Sequence, residues 1–221
     1  MICHLKRNQG NTVLPLMTLI SSLLLMLTAC SIILPTHKTK QESKTDLQVT
    51  LHSYQQSNFK QVEATFVTYK SKELVFRVLS NIKLTPQWLD QVVNIEVLEV
   101  YNNSQYLLRT VINSPWPFKD REIITCVDTH FSNSITSINI YACSERVPIN
   151  SQYQRVLKVN SSWILKEISH SKVEIRYKTW IDPEGSVPAF IFNQQLIDNT
   201  KVSFSELKKI IASSSLDDYP Y

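Results

Sequence analysis

The residues able to do chemistry in this chain are scattered rather than gathered. Beyond the first 30 residues the histidines are His37, His52, His130 and His170, spread over a polar linker, a strand and two turns, with no paired metal-ligand spacing. No serine sits in a nucleophile-elbow context. Only two glycines occur, Gly10 and Gly185, so a Walker loop or a dinucleotide fingerprint, each needing several glycines for backbone approach to phosphate, is excluded. The expectation is a protein without metal or cofactor that binds and does not catalyse. The informative polar residues lie elsewhere. In the stretch from Gly185 to Ile211, GSVPAFIFNQQLIDNTKVSFSELKKII, Asn193 and Thr200 stand seven apart in the middle of an apolar helical face. Either they hydrogen-bond to backbone or neighbours inside an ordinary core, or they look into a cavity and meet a polar group on an otherwise apolar ligand.

That stretch is the element around which the others are arranged. Gly185, Ser186 and Pro188 form a helix-start pattern, with Ser186 available as the cap. At 100° per residue Phe190, Leu196, Ile197, Phe204, Leu207 and Ile211 share one broad arc, and Asp198, Ser205, Glu206 and Lys209 share the opposite one. An apolar arc of that width needs a sheet to cover it. The sequence supplies strands in pairs. Leu47 to Tyr54 and Phe59 to Thr68 alternate apolar and polar residues around a short turn, and Val92 to Tyr101 and Gln105 to Ile112 do the same around Asn102-Asn103. Between these hairpins lie a short helix, Lys72 to Ser80, started by Ser71, and a turn marked by Pro86 and Trp88. Arg121 to Thr129 and Ile135 to Ser144 form a third hairpin. An extended run from Val156 through Ile168 and a clearly alternating strand from Lys172 to Ile181 complete the set.

A turn centred between Ser134 and Ile135 sets Cys126 opposite Cys143 in the third hairpin. A disulfide and two buried free thiols are both compatible with that placement, because a one-residue change of register separates them; a Cα separation beyond ~7 Å excludes the bridge.

The N-terminus carries a different message. Lys6 and Arg7 precede an almost wholly apolar run from Val13 to Leu27, short against the ~20 residues of a membrane span. Leu27-Thr28-Ala29-Cys30 follows directly and resembles the lipobox of bacterial lipoproteins, in which the cysteine receives a diacylglycerol and becomes the first residue. The other reading is an uncleaved anchor continuing through Ile32, Ile33 and Leu34. On the lipoprotein reading, residues 1–29 are the signal peptide, Cys30 is lipidated, residues 30–45 form a polar tether, a folded domain spans 46–213, and 214–221 is a disordered tail. Ser31 after the cysteine then points to the outer membrane, with the domain in the periplasm. The net charge of +4 is mild and partly in the leader, so no nucleic-acid surface is expected.

The stretch Pro115-Trp-Pro-Phe-Lys-Asp-Arg-Glu122, followed by an apolar strand, resembles the signature of START domains. Three further stretches agree in order: SKELVFRVLSN with Trp88 behind it, the turn Asp182-Pro183-Glu184-Gly185, and VPAFIFNQQL. The resemblance covers Leu47 to Ile211. It implies an α+β helix-grip fold, a curved antiparallel sheet of about 7–9 strands wrapped around the C-terminal helix, with an apolar tunnel between them. It also implies a lipid or other hydrophobic ligand bound by a monomer, although related helix-grip domains include cyclases and hydrolases. In this family the pair Asp120-Arg121 stabilises the fold. Tyr177, Ile197 and Phe204 become candidates for lining the tunnel beside Asn193 and Thr200. Some members keep an arginine and an acid inside. Here Arg109, in phase with Leu107 and Val111, either points inward, with Glu96 or Glu99 reaching it, or faces solvent.

Overall fold

The computed structural model describes residues 47–89 and 91–219. The signal peptide, the lipidation of Cys30 and the tether lie outside these residues. Nine strands and three α-helices follow one another as β1 (Gln48–Tyr54), β2 (Ser57–Thr68), α1 (Lys72–Ser80), α2 (Thr85–Trp88), β3 (Val92–Asn102), β4 (Gln105–Ile112), β5 (Arg121–Phe131), β6 (Ile135–Ala142), β7 (Gln154–Val156), β8 (Lys158–Ser169), β9 (Lys172–Asp182) and α3 (Ala189–Ser213). The strands form one sheet in the order β1-β2-β9-β8-β6-β5-β4-β3, antiparallel throughout except that β7 pairs in parallel with the start of β5. This is the helix-grip α+β fold that the resemblance implies.

Local chemistry sets most boundaries. Ser71 caps α1 by accepting the Leu74 amide, and Glu73 in its first turn faces Arg77 in its last. The step at Pro86 is a single helical turn, α2, with the proline in its first turn, where no amide donor is needed. Glu184 and Gly185 both adopt positive φ, 56° and 72°, which turns the chain sharply out of β9. That turn delays the helix. α3 begins at Ala189, Pro188 takes the N-cap position, and Ser186 caps nothing. Phe190, expected on the buried arc, is 76% exposed, because the first turn of α3 overhangs the sheet beyond the last β2–β9 pair, Val62 with Thr179.

Residues 214–219, expected in a disordered tail, are ordered. Ser215 and Asp218 form a reciprocal capping box around a short 3-10 turn, Leu216–Asp218. Lys70 donates to the Ser214 carbonyl, Arg77 donates to the Tyr219 carbonyl, and Tyr219 packs against the core.

The sheet has two buried faces near its centre. The helix-facing core contains Ala64, Phe66, Leu108, Val127, Trp163, Leu165, Ile175 and, from α3, Phe204, Leu207 and Ile211. A smaller core on the opposite face joins Leu107, Ile124, Cys126 and Cys143, with Val147 against it. The bridge between Cys126 and Cys143 is formed, with a Cα separation of 5.6 Å. It does not join directly opposed residues. Cys126 pairs with Tyr141, two positions from the expected partner, so Cys143 is a diagonal neighbour on the same face.

Candidate functional site

Strand register arranges the helix-facing side of the sheet in rows. One row runs Ala64, Tyr177, Trp163, Ile138, Thr129 across β2, β9, β8, β6 and β5. The next runs Val62, Thr179, Ser161, Ile140, Val127, Tyr106 and ends at Val100 on β3. None of these residues carries a charge. Burial is lost only at the β3 end of the second row: Val62 is fully buried and Val127 is 1% exposed, whereas Val100 is 67% exposed, with Val97 beside it at 41%. The cause is the seat of α3, which packs chiefly on β2, with β1 and the two short helices beside it. The inner face of β3 therefore lacks the cover that β2 receives, whereas Leu108 of β4 is still buried in the helix-facing core.

An aromatic cluster stands where the covered and uncovered halves meet. Phe204 from α3 stacks on Trp163 with centroids 5.3 Å apart and planes at 13°. Tyr177 lies 4.4 Å from Trp163 and 5.1 Å from Phe204, and Trp88 from α2 meets both Trp163 and Phe204 edge-on. Burial pushes the Tyr177 hydroxyl above the usual phenol value, against hydrogen bonds with Thr179 and Ser161, whose own hydroxyls lie 2.5 Å apart. Burial likewise raises Tyr106. Both phenols stay neutral, and both keep accessible surface on the inner side of the sheet. At the flank of α3 a pocket of about 310 Å³ is lined by Gln91, Asn113, Pro115, Gln195 and Asn199, four of them carboxamides.

The two polar residues on the helix face direct their hydrogen bonds to backbone. Asn193 accepts the Lys60 amide at 2.8 Å and donates to the Asn58 carbonyl at 3.0 Å, so its carboxamide stands in for a neighbouring strand where β9 has peeled away from β2. Thr200, 7% exposed, donates to the Leu196 carbonyl of its own helix at 2.6 Å. The cavity-facing reading of both is corrected: the backbone takes their hydrogen bonds. Ile197 is partly buried on the same helix, and Phe204 lies at the centre of the aromatic cluster.

Arg109 is also corrected, to the outer face. It shares that face with Leu107 and Ile124 and donates to Glu122 at 2.6 Å and Glu96 at 2.8 Å, under Tyr153. Glu122 is 1% exposed and is also gripped by Arg155, which spends its remaining donors on the carbonyls of Ser144, Val147 and Pro148. Burial works to raise the Glu122 pKa, but hydrogen bonds from the two guanidiniums outweigh it and hold the carboxyl below the usual range. Arg121, the first residue of β5, is buried and donates to the carbonyls of Lys119 and Pro183. The sequence offered no signal for Arg155, 33 positions from Glu122, and showed Trp88 as a turn marker and part of the family resemblance, without its place in the aromatic cluster.

The helix-grip fold, a curved antiparallel sheet around a long C-terminal helix, is shared with solved structures. A STAR-related lipid transfer protein from Xanthomonas axonopodis superposes with a TM-score of 0.68 at 16% identity, over 77% of this chain and 96% of its own. Human StAR-related lipid transfer protein 5 gives 0.67 at 14% identity, over 75% of this chain and 81% of its own. An uncharacterised protein of Pseudomonas aeruginosa is 22% identical over 153 residues, 69% of this chain and 75% of that protein. No protein-family model matches the chain.

Proposed function

We propose that this protein binds one lipid or similar hydrophobic molecule between the sheet and α3, as a membrane-tethered carrier or sensor rather than a catalyst. The observation that carries the reading is the coverage of the inner face: uncharged across its rows, covered by α3 chiefly over β2, and left accessible at Tyr106, Val97 and Val100. An apolar molecule laid there gains ~25 cal/mol for each Å² of apolar surface removed from water. The charged groups of the molecule's centre, Arg109, Glu122 and Arg155, lie on the other side of the sheet, and the two lipid-transfer proteins that share the fold support the same ligand class. Tethering follows from Cys30: a diacylated cysteine at the head of a polar linker holds the domain at a membrane, since each buried CH₂ contributes ~0.8 kcal/mol. Ser31 favours the outer membrane and a periplasmic domain.

Native mass spectrometry of the purified full chain tests the reading. The expected spectrum shows one lipid mass per chain, taken up from mixed vesicles when none co-purifies. Ile140→Trp, which fills the middle of the inner row, should abolish uptake while leaving the circular dichroism spectrum intact. A protein that takes up no lipid under either condition has a filled core and acts only through its surface.

A further inference from the structure

The indole Nε1–H of Trp88 donates to nothing. The residue is 7% exposed, the nitrogen is closed off from solvent, and no acceptor lies within reach. An indole nitrogen can only donate, and a buried donor without a partner costs stability in the closed protein. The ring's packing against Trp163 and Phe204 needs an aromatic edge, which a phenylalanine would provide without that cost. The donor has a use only in a state where an acceptor reaches it. The surroundings limit what that acceptor is. Inner-facing neighbours in the rows around the cluster are Ser161, Thr179, Ile140, Val127, Thr125 and Leu108, none of them a cation, so a carboxylate or phosphate carried in here would be an unpaired buried charge. Because the nitrogen is walled in, the acceptor arrives only as Phe204 swings aside or α2 lifts, which makes binding and opening one event.

We propose that the ligand is an uncharged apolar molecule bearing an oxygen acceptor, such as an ester, ketone, ether or alcohol, held with that oxygen on the Trp88 indole N–H. The inference rests on the lipid-binding reading and narrows it. The test uses the full chain with three probes of similar length: methyl decanoate, decanoate and tridecane. The chain has four tryptophans, and the Trp88 indole signal in a ¹⁵N–¹H spectrum is assigned by its loss in Trp88→Phe. Methyl decanoate should move that proton downfield and tridecane should not. The ratio of ester to hydrocarbon affinity should fall about five- to tenfold in Trp88→Phe, with tridecane binding and the ligand-free melting midpoint unchanged or improved. Tightest binding of decanoate overturns the proposal. So does an ester-to-hydrocarbon ratio that the variant leaves unchanged, or a Trp88 proton that stays upfield over an aromatic ring with ester bound. If Trp88→Phe fails to fold, the wild-type shift decides. Hydrocarbon and ester binding with no effect at Trp88 sinks this inference alone, whereas binding of none of the three removes the lipid-binding reading as well.

Discussion

At the scale of single residues the most consequential group is a carboxylate far from the ligand side. Glu122 sits between two guanidiniums, with Arg155 almost wholly buried beside it. Glu122→Gln leaves that arginine charged and unpaired, and breaking one partner of a buried pair costs about 3–5 kcal/mol; urea unfolding should show it, and a loss under about 1 kcal/mol would mean that the three carbonyls hold Arg155 unaided. The pH dependence has a definite sign. The folded pKa of Glu122 is depressed, so its contribution is present above the unfolded glutamate value near ~4.3 and is lost as pH falls through the folded value. The acid limb of the stability profile should therefore flatten in Glu122→Gln. The bridge from Cys126 to Cys143 closes a loop of 17 residues, for which chain entropy gives about 3 kcal/mol. Replacing both cysteines by alanine should lower the melting midpoint by roughly 6–12 °C. Sequence phase correctly grouped Arg109 with Leu107 and Val111. It did not reveal which face was inward, because the segment between β6 and β8 buries the outer face as well, and two buried faces look alike in an alternating pattern.

Among the elements, α3 was legible as a long two-sided helix, and so were its two polar intrusions. Their meaning was not. Whether an asparagine on an apolar face meets a ligand or a backbone depends on where the neighbouring strand ends, and the parting of β2 and β9 before Asn58 is a property of register that no local pattern encodes. The structure makes Asn193 a docking residue. Asn193→Ala removes the partner of a part-buried amide and of an exposed carbonyl of β2 and should cost about 1 kcal/mol, with faster hydrogen exchange at the Lys60 amide; unchanged exchange there would show that water replaces the carboxamide. Thr200 bonds within its own helix, so Thr200→Val should alter stability by no more than ~0.5 kcal/mol and leave ligand affinity alone. The hairpins were readable because alternation and polar turns are local. The break at Leu157 between β7 and β8 was not, because two short apolar runs in succession look like one strand.

For the whole molecule, the order of strands is the least local feature. Pairing β2 with β9 joins Val62 to Thr179 across more than half the chain, and only the ordered resemblance of four separate motifs pointed to it. That pairing also creates the asymmetry on which function depends. It sets α3 against β1 and β2 at one end of the sheet and leaves β3, an edge strand with three register shifts, at the other. A ligand that supplies the missing cover must then stabilise the entire fold, since it binds the folded chain and has no site on the unfolded one. At a free concentration a hundredfold above Kd the gain is about 2.7 kcal/mol, or roughly 5–11 °C in melting midpoint for a domain of this size. Delipidated protein should melt lower by that amount and recover it on adding lipid, with new exchange protection on β3 and β4 more than on β1 and β2. Ile140→Trp should melt at one temperature with or without lipid. Protection appearing instead on β1 would place the ligand on the side already sealed by the helix, and the half-covered sheet would then need another partner.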